Sequence, residues 1–285
     1  MEKIILYIKT YRPDFERVQN LLASIERFNT DGIPVFISVN DPDYKYFKDH
    51  LGGTFTLFRD SDIVKSKMKD GWRHQAIVKP HVYRANICEN YLCVDSDAEF
   101  IRPFQRSDFM YNDDTPYTIM HENKGFMEML ELIGKDSANI FHVNALKSIR
   151  ARFGTHGKTW DYGPNPHLWS TKVWRHFIDV WLADQNHSFE SFYREMELTA
   201  LPHEAAIYGE YLLKTRLIDI IPVEGFFKVY HYKEQFELEK PYYDIERLKK
   251  NYMGIIMQSN WNNPGPPPEE KKPGLFNWIS RKDAK

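Results

Sequence analysis

The chain has 285 residues, 42% hydrophobic and 27% charged, which excludes a mostly disordered or collagen-like polypeptide and leaves one or two globular domains. Its 38 basic and 40 acidic residues give a formal charge of −2, so no strong field favours nucleic acid or an anionic membrane. Two cysteines, Cys88 and Cys93, cannot build a disulfide framework and point to a reducing, cytoplasmic compartment.

The chain opens on a buried strand over residues 3–9, whose apolar run is too short for a signal peptide or a membrane span. Pro13 then starts a helix in which Phe15, Val18, Leu21, Leu22, Ile25 and Phe28 recur at helical spacing, up to about Asn29. A second strand follows over 33–39, a short helix from Asp41-Pro42, a third strand over 55–58, a helix over 72–88 and a fourth strand over 91–94. Extended structure resumes at 99–101. Alternation of this kind predicts an α/β fold: a Rossmann-type mixed sheet, mostly parallel and flanked by helices.

Residues 154–166 (GTHGKTWDYGPNP) read as a long loop, of the length that is usually functional or disordered. Helices are expected over 167–181 and 202–214, short strands over 218–221 and 226–230, and a weak helix over 243–252. The organisation is one domain over 1–258, with halves 1–103 and 104–258, and a Pro-rich tail over 259–285. In that tail GLFNWI (274–279) precedes Arg281 and Lys282. Two readings stand: docking on the protein's own surface, or a weak interfacial membrane contact through 274–282 that would make the protein peripheral to a membrane.

Twenty aspartates give about one Asp-x-Asp pair by chance, and the chain has three. All three follow apolar strands and so can lie at the carboxyl edge of the sheet, where open α/β folds bind ligands. Asp41/Asp43 runs into a helix, where Asp is a common cap, and Asp60/Asp62 reads as loop. Asp95/Asp97 interrupts a strand that then resumes. Two carboxylates at the point where a buried strand surfaces are costly unless a cation compensates them, so this pair is the candidate metal site.

Four segments carry a family resemblance: IILYIKTYRPD, GWRHQAIVKPHVYR, YLCVDSDAEFIRPF, and LPHEAAIYGEYL with the later VYHYKEQF. Over residues 3–236 the chain resembles metal-dependent glycosyltransferases of the GT-A fold, and is similar to the transferases that build surface and capsule glycans. The resemblance implies a nucleotide-sugar donor, most often a UDP-sugar, bound by the first half, and a glycan acceptor bound by the second. It implies Mn²⁺ or Mg²⁺ on Asp95 and Asp97, with Ser96 at the donor and His231 completing the coordination; for His231 a hydrogen-bonded strand histidine is an equal reading. Imidazole suits Mn²⁺ better than Mg²⁺.

Thr10, Tyr11 and Arg12 leave the first strand, and Asn40 and Asp41 the second, where this fold holds base and ribose. Trp72, Gln75 and Lys79 are expected near the donor. Lys79, Arg73, Lys228 and Lys233 are candidates to stabilise the charge on the leaving diphosphate. An inverting transferase needs a base for the acceptor hydroxyl; Glu204, at the start of a late helix, matches best and Asp161 is the second candidate. Trp160, Tyr162 and His167 form the expected acceptor wall.

Other classes fit less well. The Asp-x-Asp hydrolases of the haloacid-dehalogenase type want Thr or Val where Glu99 stands, and their motif comes near the start of the chain. A Gly-x-Gly-x-x-Gly dehydrogenase motif and a P-loop are both missing. The alternative is a non-catalytic module of this fold that binds a glycan or nucleotide.

Overall fold

In the first strand Ile4, Leu6 and Ile8 point to one side and Ile5 and Tyr7 to the other, and all five are buried, so the strand must lie between two apolar layers. The structure, a computed structural model, describes residues 1–137 and 141–258. The Pro-rich tail and its contact through 274–282 lie outside the described residues. Among the described residues no helix is long and apolar enough to cross a membrane.

The first third alternates as its pattern predicts: β1 (Glu2–Thr10), α1 (Phe15–Phe28), β2 (Val35–Val39), α2 (Tyr44–His50), β3 (Thr56–Arg59), α3 (Asp60–Ile63), α4 (Gly71–Val78) and β4 (Cys88–Asp95). After a turn come β5 (Ala98–Phe100), β6 (Thr118–Ile119), α5 (Lys124–Leu132), α6 (Phe141–Phe153), β7 (His167–Ser170), α7 (Thr171–His176), α8 (Phe189–Glu197) and α9 (Glu204–Thr215). The remainder holds β8 (Pro222–Val223), β9 (Phe227–Tyr230), α10 (Lys233–Glu239), α11 (Ile245–Leu248) and β10 (Gly254–Met257).

The main sheet has the order β3-β2-β1-β4-β7, parallel except for β7, which runs antiparallel to β4. The chain builds outward from β1 through β2 to β3 and then places β4 on the other side of β1. Strand order therefore reverses between β1 and β4, and the crevice at their carboxyl ends is where such sheets bind ligands. Register sets Lys9 of β1 beside Asp95 of β4 at that edge.

Each face carries its own apolar layer. Ile4, Leu6, Ile8, Leu92 and Val94 pack with Val18, Leu21 and Ile25 of α1 and Phe47 of α2. Ile5, Tyr7, Tyr91 and Cys93 pack with α4, α7, α8 and α9 around Trp174, Phe192 and Tyr211. Side chains of this size contribute roughly 1.5–3 kcal/mol each when fully buried. Much of the 15% aromatic content is spent here.

A second sheet, β5-β10-β9, adjoins the site. β10 runs antiparallel to β5 and parallel to β9, with Ile256 beside Ala98 and Met257 beside Tyr230. Gly254 permits this packing: a Cβ there would lie 2.3 Å from the Phe227 ring and 2.6 Å from the Glu99 carbonyl oxygen.

Several expectations need correction. Residues 167–181 do not form one helix: His167–Ser170 is a strand, because it pairs with β4 before the chain turns helical at Thr171. The expected helix over 72–88 is α-helical only to Val78. Pro80 then follows in a 3-10 stretch over Lys79–Ala85, Asn86 is left-handed, and Cys88 already belongs to β4. The strand expected over 218–221 falls at Pro222–Val223, and the helix expected over 243–252 shrinks to Ile245–Leu248.

Candidate functional site

β4 ends at Asp95, Ser96 and Asp97 make a turn, and the chain re-enters extended structure as β5 in the other sheet. The carboxylate pair thus stands where two sheets meet. Asn165 holds the first carboxylate residue in place, accepting the Asp95 N–H at 2.8 Å and donating to the Cys93 carbonyl at 3.2 Å. Ser96 is buried and donates to Asp14 at 3.1 Å, which ties the turn to the start of α1.

Lys79 is the centre of charge. Its side chain is buried, its Nζ donates to Asp95 Oδ1 at 2.7 Å, and it lies 4.0 Å from Glu204 Oε1. Burial disfavours its ammonium, but Asp95 and Glu204 outweigh that and hold Lys79 well above the ordinary lysine value. Glu204, buried at the first turn of α9, is pushed up by burial and drawn back partway by Lys79. Its neighbour His203 is pushed down to about 4 by burial, against the pull of Asp161.

A second charged group lies one strand over. Lys9, buried on β1, contacts Asp60 Oδ2 at 3.0 Å and donates to Asn40 Oδ1 at 3.1 Å and the Thr10 carbonyl at 2.8 Å. His74 Nε2 reaches the same Asp60 oxygen at 3.0 Å, so α4 and the start of α3 are joined through this carboxylate. The hydroxyl of Thr10 is buried and has no hydrogen-bond partner among the described residues.

The other expected donor residues are spread around this edge. Tyr11 is exposed, and the Arg12 guanidinium lies 4.3 Å over the Tyr46 ring. Asp41 accepts the Ser61 N–H at 3.1 Å. Trp72 is exposed and Gln75 half-buried on α4. Arg73 pairs with Glu197 of α8 at 2.5 Å and Lys228 with Glu239, so both cations are held elsewhere; Lys233 is exposed at the start of α10.

On the acceptor side Asp161 has both oxygens engaged, by Asn123 Nδ2 at 2.6 Å and the Gly163 N–H at 2.7 Å. Tyr162 is buried against α9 and lines a cavity of about 440 Å³, and His167 is buried with its ring stacked 5.0 Å from Trp169. Trp160 lies between two cavities of about 1180 and 440 Å³ and lines both. His231 lines them too, 4.7 Å from the Phe126 ring, with its N–H donated to Gln235.

Among the described residues no three His, Cys, Asp or Glu side chains come together as a ready-made metal cage. Two carboxylates and an imidazole are residue types that divalent cations take, and here Asp95 Oδ1 already accepts from Lys79. Asp95 is 31% exposed at the crevice and Asp97 lies two residues on. His231 follows β9 at the same end of the small sheet where Asp97 precedes β5, with β10 between them. Mg²⁺-type ions are commonly bound by one or two carboxylates plus substrate phosphates.

Lys9, His74, Asn165 and Glu210 were missed in the sequence, and Asp60, read there as loop, opens α3. One signal existed: Lys9 shares the face of Ile5 and Tyr7, so a charge stands at an inward position of an apolar strand. Comparison of the chain with protein-family models and with curated proteins finds no match in either.

Proposed function

We propose that the protein is a glycosyltransferase that moves a sugar from a nucleotide-sugar, a UDP-sugar by preference, to a glycan hydroxyl. The observation that carries this reading is Lys79, which joins Asp95 at the β1/β4 crevice to Glu204 at 2.7 and 4.0 Å. A donor diphosphate in the crevice would meet the Lys79 ammonium, and an acceptor beyond it would meet Glu204. Asp95 and Asp97, with His231, would hold a divalent cation that supplies charge neutralisation at the diphosphate.

In the reaction the acceptor oxygen forms a bond to the anomeric carbon as the anomeric carbon–oxygen bond to the diphosphate breaks. The bonding pair leaves with the diphosphate, and the acceptor proton passes to Glu204. Burial supports that role by raising the proton affinity of the carboxylate. Asp161 is the weaker candidate, because Asn123 and Gly163 occupy its oxygens. Displacement from the opposite face inverts the anomeric centre.

A thermal-shift panel of UDP-, GDP-, dTDP- and CMP-sugars, each with Mn²⁺ and with EDTA, tests the reading. One nucleotide should raise the melting temperature in Mn²⁺ alone, and Asp97→Ala should erase that rise while leaving the unliganded melting temperature near wild type. A rise insensitive to EDTA would remove the metal from Asp95, Asp97 and His231. Donor binding without donor hydrolysis or transfer would leave a non-catalytic binding module.

A further inference from the structure

Glu210 lies in the middle of α9 with 0% exposure, and the transfer chemistry does not use it. A carboxylate so deep is costly unless hydrogen bonds satisfy it. Its partners come from one region. Arg150 Nη1 of α6 donates at 3.0 Å, the Tyr162 hydroxyl at 2.9 Å, and the Thr155 hydroxyl also donates. Arg150 in turn donates to the carbonyls of Gly157 at 3.0 Å and Lys158 at 3.2 Å.

Thr155 and Tyr162 stand near the two ends of the strap 154–163, and Gly157 and Lys158 in its middle. Gly154, Gly157 and Gly163 all have left-handed φ, so the strap's own backbone does little to restrict it. The buried Glu210–Arg150 pair contacts the strap near both ends and in its middle, and a backbone bridge between Asp161 and His121 holds it on the other side. The Tyr162 ring lies so close to α9 that a Cβ on Gly209 would fall 2.0 Å from it. On the far side Asp161 bonds Asn123, and Lys158 pairs with Glu122.

The strap, α5, α6 and α9 enclose the cavity of about 440 Å³. Phe126, Leu146 and Trp160 give it apolar walls, and Asn123, Asp161 and His203, the residue before Glu204, give it polar ones. Flat aromatic surface with a few fixed polar groups suits one face of a saccharide ring, whose C–H bonds are apolar and whose hydroxyls need partners.

We propose that Glu210 is the positioning residue of the acceptor side: it locks the strap 154–163 so that Trp160 stands as a fixed wall for a saccharide ring in this cavity. The inference rests on the glycosyl-transfer reading for the identity of its ligand, and on the strap contacts alone for the lock.

Glu210→Gln keeps the side chain's size and removes its charge; Thr155→Val removes one of its hydrogen bonds at constant shape. Limited trypsin digestion of the full chain reads the lock at Lys158, with cutting after exposed Lys45 as the control for global opening. Cutting after Lys158 should be at least fivefold faster in Glu210→Gln and intermediate in Thr155→Val, at equal cutting after Lys45. With a panel of p-nitrophenyl glycosides as acceptor probes, Glu210→Gln should raise the acceptor KM at least fivefold with kcat within twofold. Equal cutting at Lys158 in all three chains overturns the lock. A fall in kcat at unchanged acceptor KM overturns the positioning role. Wild type that turns over no donor ends the transfer reading, and the digestion still decides the lock.

Discussion

Lys9 and Lys79 flank the same crevice, both buried and both touching carboxylates, yet burial and neighbours move them in opposite directions. Burial lowers Lys9: Asp60, which also serves His74, and Asp43 do not fully compensate, and the Lys79 charge opposes them. Lys79 meets the same penalty but has Asp95 on one side and Glu204 on the other, and it is raised. The two ammoniums differ through the charges around them: Lys79 has carboxylates on two sides, whereas Lys9 shares its carboxylate with His74 and faces a neighbouring cation. Lys9 is a structural tie between β1, α3 and α4. Lys79 is a fixed charge placed between two groups that a reaction could use.

The largest effect should follow removal of the fixed charge. Lys79→Met leaves Glu204 buried beside Asp95 with no cation, and breaking a buried pair of this kind costs about 3–5 kcal/mol. Without Lys79 the folded-state affinity of Glu204 for a proton rises further above its unfolded value. The native state then binds more protons than the unfolded state, and stability falls as pH rises above the ordinary carboxylate range. Urea melts should therefore show a smaller deficit at pH 5 than at pH 8; equal deficits would mean that Lys79 does not govern Glu204.

Glu204→Gln should come next, with transfer reduced by about 10²–10⁴-fold, the usual value of a positioned base, and donor affinity near wild type. The wild-type rate should rise with pH through a Glu204 titration displaced above the normal glutamate range, and that limb should vanish in the variant. Persistent transfer would take the base role from Glu204.

Lys9→Met sharpens the contrast. Asp60 keeps His74, so the cost should be about 1–3 kcal/mol, that of a buried group losing one partner. A loss as large as that of Lys79→Met would erase the distinction between the two lysines. Gly254→Ala should cost about 1–3 kcal/mol by overpacking against Phe227 and the Glu99 carbonyl, measured as a lower urea midpoint at unchanged slope.

Much of the main sheet was legible because its strands are continuous apolar runs bounded by polar turns, as in KIILYIKT and NYLCVD. Asp95 and Asp97 could be picked out because they interrupt an apolar strand, and Glu204 through the family resemblance, which places the base at the start of a late helix. β7 was misread because HLWS runs straight into a helical segment, and four residues cannot reveal a period when a partner strand decides the conformation. β10 escaped notice for the same reason. Lys9 and Glu210 are single charges inside apolar stretches, and their meaning lies in partners far away in sequence: Asp60 for one, and Arg150, Thr155 and Tyr162 for the other.

The turn at Ser96–Asp97 hands the chain to a sheet whose middle strand is β10. On the ribosome, Asp97 is made well before β10, the strand that joins it to His231, whereas His231 precedes that strand by only a short stretch of chain. Pairing β5 with β10 closes a long loop, whose entropic cost must be met before the pairing rewards it. During synthesis the crevice side of the site can form first, while the edge shared by Asp97 and His231 waits for Gly254–Met257 to slide between its neighbours. A chain ending before Gly254 should bury Lys79 and pair it with Asp95 yet lack that edge, so competence at the candidate metal position would be a late event of biosynthesis.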